Sequence, residues 1–165
     1  VQDSIDLTKV FKQQHYNPQV LIEMSGPDQI DQFLSGVGTP DGIFVPNSWW
    51  PDSPASGNAE MIAAYIAKYP TVAKASVSSD VAQAYSAAQV MQQAIELTHS
   101  LDNKALIKEM RTATFNTVQG PVRFDATGQN TLAIPSLFQW QGRNLIPVYP
   151  SSLAQANPEF PKRPW

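Results

Sequence analysis

Apolar residues recur at helical spacing from the start of the chain. Leu7, Val10 and Phe11 fall at i, i+3 and i+4, which predicts a short amphipathic helix over 4–14 with Asp3 or Ser4 as its cap. Pro18 ends it, because the residue before a proline is pushed out of the helical region. Residues 19–24 form an apolar-rich run and predict a buried strand. Ser25-Gly26-Pro27-Asp28 reads as a turn with a capping residue and a proline suited to a first helical turn. Ile30, Phe33, Leu34 and Val37 then predict a second helix, Gly38-Thr39-Pro40-Asp41 breaks it, and Gly42-Ile43-Phe44-Val45 predicts a second strand. Helix, strand, helix, strand in that order is the signature of an α/β fold with a parallel sheet and crossover helices. Ligands in such sheets bind outside the carboxyl ends of the strands, so residues 24–28 and 46–50 are the first places to look for a site.

The pattern changes after Pro46. Asn47-Ser48-Trp49-Trp50-Pro51-Asp52-Ser53-Pro54 is bounded by prolines and suits neither a helix nor a central strand. Asn58 can cap a helix carrying Met61, Ile62, Tyr65, Ile66 and Tyr69, which Pro70 stops. A long helix is predicted over 79–98. Ala82, Ala84, Ala87 and Ala88 give it a small-residue face, and Val81, Tyr85, Ala88, Val90, Met91 and Ile95 an apolar stripe. Asp102 caps one more helix, with Leu106, Ile107 and Met110 inward. The remainder reads as β-rich. Residues 118–124 hold a Gly-Pro step, Asp125-Ala126-Thr127-Gly128 is a turn, and 137–149 form a hairpin about Gly142-Arg143-Asn144. Four prolines in the last sixteen residues predict an extended surface tail with Trp165 as an anchor.

Composition narrows the function classes. The 165 residues carry 11 Lys and Arg against 14 Asp and Glu, a net charge of −3, so no basic field exists for a nucleic-acid backbone. Cysteine is absent, which removes disulfides, cysteine-based zinc sites and thiol catalysis together. His15 and His99 are too few for most metal sites, and each lies near a helix end, where a positive charge is favourable. The four methionines read as core filler. No apolar run approaches the ~20 residues that span a bilayer.

Catalytic and cofactor motifs are missing. There is no Gly-x-Ser-x-Gly elbow, no Walker loop and no His-x-x-x-His pair. Gly36-Val37-Gly38 followed by Gly42 has the wrong spacing for a dinucleotide loop, and it follows a helix and precedes a strand, the reverse of the required context. Asp125 to Gly128 is too short of carboxylates for a calcium loop. Asp28 and Asp31 share a helical face, but nothing nearby in sequence raises one pKa for acid–base work. The reading is a non-enzyme with no cofactor and no metal.

The order of motifs carries a resemblance. Gly42-Ile43-Phe44-Val45, the Trp-Trp-Pro segment, Ala84-Tyr85-Ser86-Ala87-Ala88-Gln89-Val90, the run from Thr117 through Gly120-Pro121-Val122 and Phe124-Asp125 to Gly128-Gln129-Asn130, Gln139-Trp140-Gln141-Gly142, Val148-Tyr149-Pro150 and a proline-rich end at Pro164-Trp165 follow one another over nearly the whole chain. This series resembles the C-terminal half of the substrate-binding proteins of ABC transporters in the branched-chain amino acid (Leu/Ile/Val-binding) class. The resemblance implies a partial type I periplasmic-binding-protein fold: α/β, three-layer, with parallel-sheet βα units and a C-terminal β-hairpin. Such proteins have two lobes joined by hinge strands, with ligand held between them. Mapped onto that plan, 1–45 is part of the second lobe, 46–54 a hinge crossing, 55–120 part of the first lobe, and 121–165 the crossing strands and tail. The family's N-terminal half has no counterpart here.

The implied function is the extracytoplasmic solute-binding component of an ABC importer, or a fragment of one, periplasmic or extracellular, with its leader not present in this chain. Its partners are a small amino-acid-like, aromatic or amide ligand and, for a complete receptor, an ABC permease. The alternative is a truncated receptor half that takes no part in transport and serves as a self-associating structural or sensory module, since half a fold leaves a sheet edge and an apolar face uncovered and a homo-oligomer would cover them. Residue by residue, Met24, Ser25, Gly26 and Asp28 match the second-lobe loop that contacts ligand, Asp28 being the nearest equivalent of an acidic group for an ammonium. Asp80 sits where relatives place an aromatic contact, and Trp49 and Trp50 lie at the hinge, where they can stack on an apolar ligand. Each has an ordinary reading beside it. Asp28 and Asp80 are also helix-start carboxylates favoured by capping and the macrodipole, and the tryptophans also suit hinge packing or dimer contacts.

Overall fold

The βαβ alternation near the start of the chain is present in reduced form in the computed structural model, which describes residues 1–165. Helix α1 (Gln2–Gln13) leads into an extended segment whose pairing is a single parallel bridge, Ile22 to Phe44. Glu23 N donates to Phe44 O at 3.0 Å and Phe44 N to Leu21 O at 2.9 Å. Helix α2 (Ile30–Val37) crosses over to strand β1 (Phe44–Asn47). The buried strand expected over 19–24 is therefore one bridge long and buried on one face only. Leu21 and Glu23 point inward, while Val20, Ile22 and Met24 are exposed.

The other neighbour of β1 is antiparallel. Strand β4 (Ser136–Gln141) pairs with β1 and turns into β5 (Asn144–Tyr149), giving the sheet order β1-β4-β5. This is the expected C-terminal hairpin, with Gly142 at φ 62° in its turn. Phe33 and Trp140, both buried, stack at 6.1 Å and 28° and fix α2 on the sheet.

Between these pieces lie helices α3 (Asn58–Lys68), α4 (Ser79–Thr98) and α5 (Asn103–Met110), then strands β2 (Phe115–Thr117) and β3 (Gly120–Val122), which pair only with each other. The chain accordingly divides into two units. Unit 1 is Val1–Ser48 with Pro135–Trp165, and unit 2 is Trp49–Ile134. Residues 1–45 fall in unit 1 and 55–120 in unit 2, while 46–54 and 121–165 are each divided between the two.

Unit 1 corrects the face assigned to α1. Ser4, Ile5 and Thr8 are buried, whereas Leu7 and Val10 are exposed. The cause is close packing on α2: a Cβ at Gly36 would come within 2.7–3.0 Å of the Ile5 side chain, so Gly36 lets the two helices approach at Ile5. The tail docks by its last residues. Lys162 N donates to Gln19 O at 2.8 Å, Lys162 Nζ to Asn17 Oδ1 at 2.6 Å, and Trp165 Nε1 to Tyr16 O at 2.8 Å. Gly42, at φ +83°, leaves room for Lys162, whose Cγ would lie 2.6 Å from any Cβ placed there.

Unit 2 has two apolar clusters. Trp49, Met61, Ile62, Val77, Ala82 and Val118 form one. Val90, Ala94, Leu106 and Phe115 form the other. Asp102 caps α5 as expected, accepting from Ala105 N at 3.0 Å, but Ile107, expected inward, is exposed. In α4 the buried positions are Ser79, Ala82, Ser86, Val90 and Ala94, so Tyr85 and Met91, expected in the inward stripe, lie outside it. Gln89 and Gln93 explain which side wins: Val118 N donates to Gln89 Oε1 at 2.9 Å, and Gln93 both accepts from Asn116 N and donates to Asn116 O. The helix turns its amides toward the backbone of the β2–β3 hairpin, satisfying groups that short strands leave open.

Candidate functional site

The 24–28 loop of unit 1 is built at the carboxyl end of the bridged segment. Ser25 adopts φ 57°, a left-handed conformation. Gly26 is needed for close approach, since a Cβ would come 2.8 Å from Val1 Cα and 3.1 Å from Ser4 Oγ. Gly26 N donates to Asp28 Oδ1 at 3.1 Å and Gln29 N to Gly26 O at 3.0 Å, so the turn is closed by its own carboxylate. Pro27 is fully buried, and its carbonyl accepts from Trp140 Nε1 at 3.1 Å. The loop is therefore pinned to β4 by a buried hydrogen bond while it exposes Met24 (68%) and Ser25. Helix α2 begins at Ile30, so Asp28 and Pro27 lie in the turn before it and are not its cap and first residue as expected.

Directly before the loop sits Glu23, a residue the sequence pattern hides inside a strand. It is buried, and its Oε1 lies 2.8 Å from Thr8 Oγ1. Burial pushes its carboxyl up from the ordinary range, against the smaller opposing pull of the Thr8 hydroxyl. The only sequence signal for it is an acidic residue at an inward position of an apolar alternation.

The remaining candidates belong to unit 2. Trp49 is buried in the first cluster, and its Nε1 donates to Asn58 Oδ1 at 2.8 Å. Asn58 Nδ2 donates to the carbonyls of Pro51 and Ser53, both at 3.0 Å. Asn58 is thus an internal clamp on the 49–53 segment and not the cap of α3, a role that falls to Gly57 at φ 79°. Trp49 is a core residue here, while Trp50 beside it is half-buried. Asp80 is exposed in the first turn of α4, where its charge suits the helix dipole. Val77 and Ala82, on either side of Asp80, pack in the Trp49 cluster, so the start of α4 and the tryptophan segment are held together. The structure gathers Met24, Ser25, Gly26 and Asp28 in one loop of unit 1, and Trp49, Trp50 and Asp80 in unit 2.

Away from these residues, the Asp125 turn is a closed local motif. Its carboxylate accepts from Thr127 Oγ1, Thr127 N and Gln129 N, the hydroxyl contact first among the causes that hold its pKa below the usual value. No group of three or more His, Asp or Glu side chains is placed to hold a metal ion, and no helix is long and apolar enough to cross a membrane.

Comparison with known proteins supplies the frame for these loops. A family model described as periplasmic binding protein matches residues 1–143. Among solved structures, the chain is similar to a leucine binding protein from Thermotoga maritima, with TM-score 0.74 and 17% identity over 88% of this chain and 41% of that one. A Silicibacter pomeroyi protein assigned to branched-chain amino acid ABC transport gives TM-score 0.71 and 19% identity over 97% of this chain and 44% of that one. An ABC transporter solute binding protein from R. palustris, in complex with benzoate, gives TM-score 0.57 and 15% identity over 89% and 45%. The fold is that of the type I periplasmic binding proteins, and the chain spans about two fifths of the length of the structures it matches. A comparison with curated protein sequences finds no match.

Proposed function

We propose a role in solute uptake for this chain, which belongs to the periplasmic binding protein family: it is the extracytoplasmic binding component of an ABC importer, or part of one, and its ligand is a small amino-acid-like, aromatic or amide molecule. The observation that carries the reading is the family match over residues 1–143. Two similar proteins bear names or ligands in keeping with the ligand class, a leucine binding protein and a benzoate complex.

Within that role, the 24–28 loop is the ligand-contacting loop of the second lobe. Met24 and Ser25 offer exposed atoms, Gly26 and Pro27 hold the backbone still, and Asp28 supplies negative charge near a ligand ammonium. Unit 1 belongs to the second lobe and unit 2 to the first, with 46–54 as a hinge crossing. Within unit 2, Trp50 and Asp80 are the side chains left accessible for a ligand, and Trp49 steadies them through its buried cluster. Preorganisation favours such a loop, because ordering it on binding would subtract from affinity.

A thermal-shift screen of the chain against amino acids, small aromatic acids and short amides tests the reading. A ligand at a hundredfold excess over its Kd adds about 2.7 kcal/mol to stability, a shift of several degrees. A Met24→Ala/Ser25→Ala double variant should lose that shift while keeping the unliganded melting temperature. Absence of any shift across all three classes at millimolar concentration would reject ligand binding by this chain.

A further inference from the structure

Helix α5 gathers positive charge on one side. Lys104, Lys108 and Arg111 stand at i, i+4 and i+7, and all are exposed. Three of the 11 lysines and arginines thus share one helical stripe in a chain of net charge −3. No acidic residue stands three or four positions from any of them, and the salt bridges of the chain lie elsewhere, at Lys74–Asp52, Arg163–Asp41 and Arg163–Glu159. Asp102, close by, is engaged as the helix cap, accepting from Ala105 N, and Glu109 is half-buried. Helix stability does not explain the stripe. Like charges at i, i+4 repel. Lys104 lies in the first turn, where the macrodipole disfavours a cation, and only Lys108 and Arg111 lie at the favourable end.

The stripe frames apolar surface. Ile107, 49% exposed, lies among the three cations, and all four line one open groove with Thr112. In the turn leading into α5, Leu101 is 77% exposed. A groove made by one helix and its end cannot enclose a small molecule, as a ligand pocket does over most of the ligand's surface. Two of the cations are lysines, point charges without the planar fork that reads a particular carboxylate. Unpaired charges also bar the face from burial beneath an apolar layer. An extended anionic surface with apolar material just below it meets all these conditions, since lysine stems lie along apolar groups while their ammonium heads stay at the polar level. From the unpaired stripe and the apolar side chains beside it, we infer that the Lys104–Lys108–Arg111 face of α5, with Ile107 and Leu101, is a contact surface for a membrane rich in anionic lipid. The cations meet the lipid phosphates, and the two apolar side chains enter the headgroup layer. The inference goes beyond the uptake role, and its test contains no transported solute, so the two fail separately.

The test is co-sedimentation of the chain with vesicles, phosphatidylcholine alone against phosphatidylcholine mixed with phosphatidylglycerol. Binding to the mixed vesicles only is expected, and it should fall as salt rises past about 0.1 M, where the screening length is about 10 Å. Each cation near an anionic surface contributes about fivefold in affinity, so Lys104→Gln/Lys108→Gln should weaken binding by more than about tenfold. Lys9→Gln/Lys68→Gln removes the same charge from exposed positions on α1 and α3 and should change binding by less than about twofold. Ile107→Ser should weaken binding and leave its salt dependence intact. All these positions are exposed, so circular dichroism of the variants should match the parent chain. The Lys104/Lys108 double variant should melt no lower than the parent, because it removes a repulsion, whereas a stripe with a merely structural role would lose stability. Equal binding to both kinds of vesicle, binding to neither, or equal weakening by the two double variants would overturn the inference. Polyglutamate that binds with the same dependence on Lys104 and Lys108, while the vesicles do not bind, would overturn it in favour of an acidic protein partner.

Discussion

Thr8 Oγ1 stands 2.9 Å from the Ser4 carbonyl oxygen and 2.8 Å from Glu23 Oε1, in a buried space between α1 and the segment that leads into the 24–28 loop. A hydroxyl has one proton to give, and a carbonyl can only accept. The single Thr8 proton is therefore shared between two acceptors, the Ser4 carbonyl and Glu23 Oε1. Burial raises the carboxyl pKa of Glu23, and the hydroxyl contact opposes that rise only in part.

A pH dependence follows. The folded chain holds a proton on Glu23 that the unfolded chain releases above the ordinary carboxylate value of 4.5. Its contribution to stability is full below that value and is lost as pH climbs through the raised one. Glu23→Gln, which keeps shape and a donor, should remove this loss, so in urea melts run from pH 4 to pH 8 its stability relative to the parent should improve as pH rises above 4.5. Thr8→Val should cost about 1–3 kcal/mol by leaving a buried carboxyl without its partner. A constant difference between Glu23→Gln and the parent across that range would show that Glu23 does not titrate in it.

The Trp140–Pro27 contact makes a separate prediction about the loop. Trp140→Phe keeps a ring against Phe33 but removes the N–H that the buried Pro27 carbonyl accepts at 3.1 Å. Stability should fall by about 1–3 kcal/mol. Hydrogen exchange should speed up at residues 25, 26 and 28, while the β4–β5 turn near Gly142 keeps its protection. Equal acceleration in both places would mean that the whole hairpin, and not the pin, had been lost.

Asn58 carries the corresponding load in unit 2. One amide satisfies the Trp49 indole and two carbonyls of the proline-bounded segment. Asn58→Ala orphans all three, at about 1–3 kcal/mol for each that stays buried. Trp49 emission should shift to the red and the 49–54 segment should become susceptible to protease. An unchanged emission maximum would show that the Trp49 cluster packs without the clamp.

These residues also mark how far the sequence could be read. The bounds of α4, the Asp102 cap and the β4–β5 hairpin are legible because each depends on local spacing or turn chemistry. Which side of a helix turns inward is not local. Leu7 and Val10 look like a core stripe, yet Gly36, some thirty residues away, decides that Ile5 faces α2 instead. Tyr85 and Met91 belong to an apolar stripe that stays exposed, so periodicity names the stripe and misplaces it. Asn58 has the composition of a cap, and only the tertiary neighbourhood of Trp49 shows it to be a clamp. The position of the 24–28 loop is legible from the strand before it. The Trp140 pin that holds it comes from 113 residues further along and leaves no local trace.

The C-terminal tail is held at Lys162. Lys162 is almost fully buried, its Nζ donating to Asn17 Oδ1 and the Arg163 carbonyl and lying 3.2 Å from the centre of the Trp165 ring. Burial lowers its pKa to about 8, the nearby Lys12 ammonium adds to the fall, and Asp41 opposes it. The unfolded lysine, at 10.5, keeps its proton through the interval that the docked one has already left. The docked tail is therefore penalised at neutral pH and relieved of that penalty as pH rises from about 8 toward 10.5. Lys162→Met, which fills the same space without a charge, provides the reference: the parent chain should gain stability relative to this variant across that interval, with no change in the difference between pH 6 and pH 7. Trp165→Ala should release the tail at every pH, seen as rapid exchange at Lys162 N, because it removes both the ring over Lys162 and the N–H that Tyr16 O accepts. A parent-minus-variant difference that stays flat from pH 7 to pH 10 would place the Lys162 ammonium in solvent, and the contact between Gly42 and Lys162 would then be the anchor that remains.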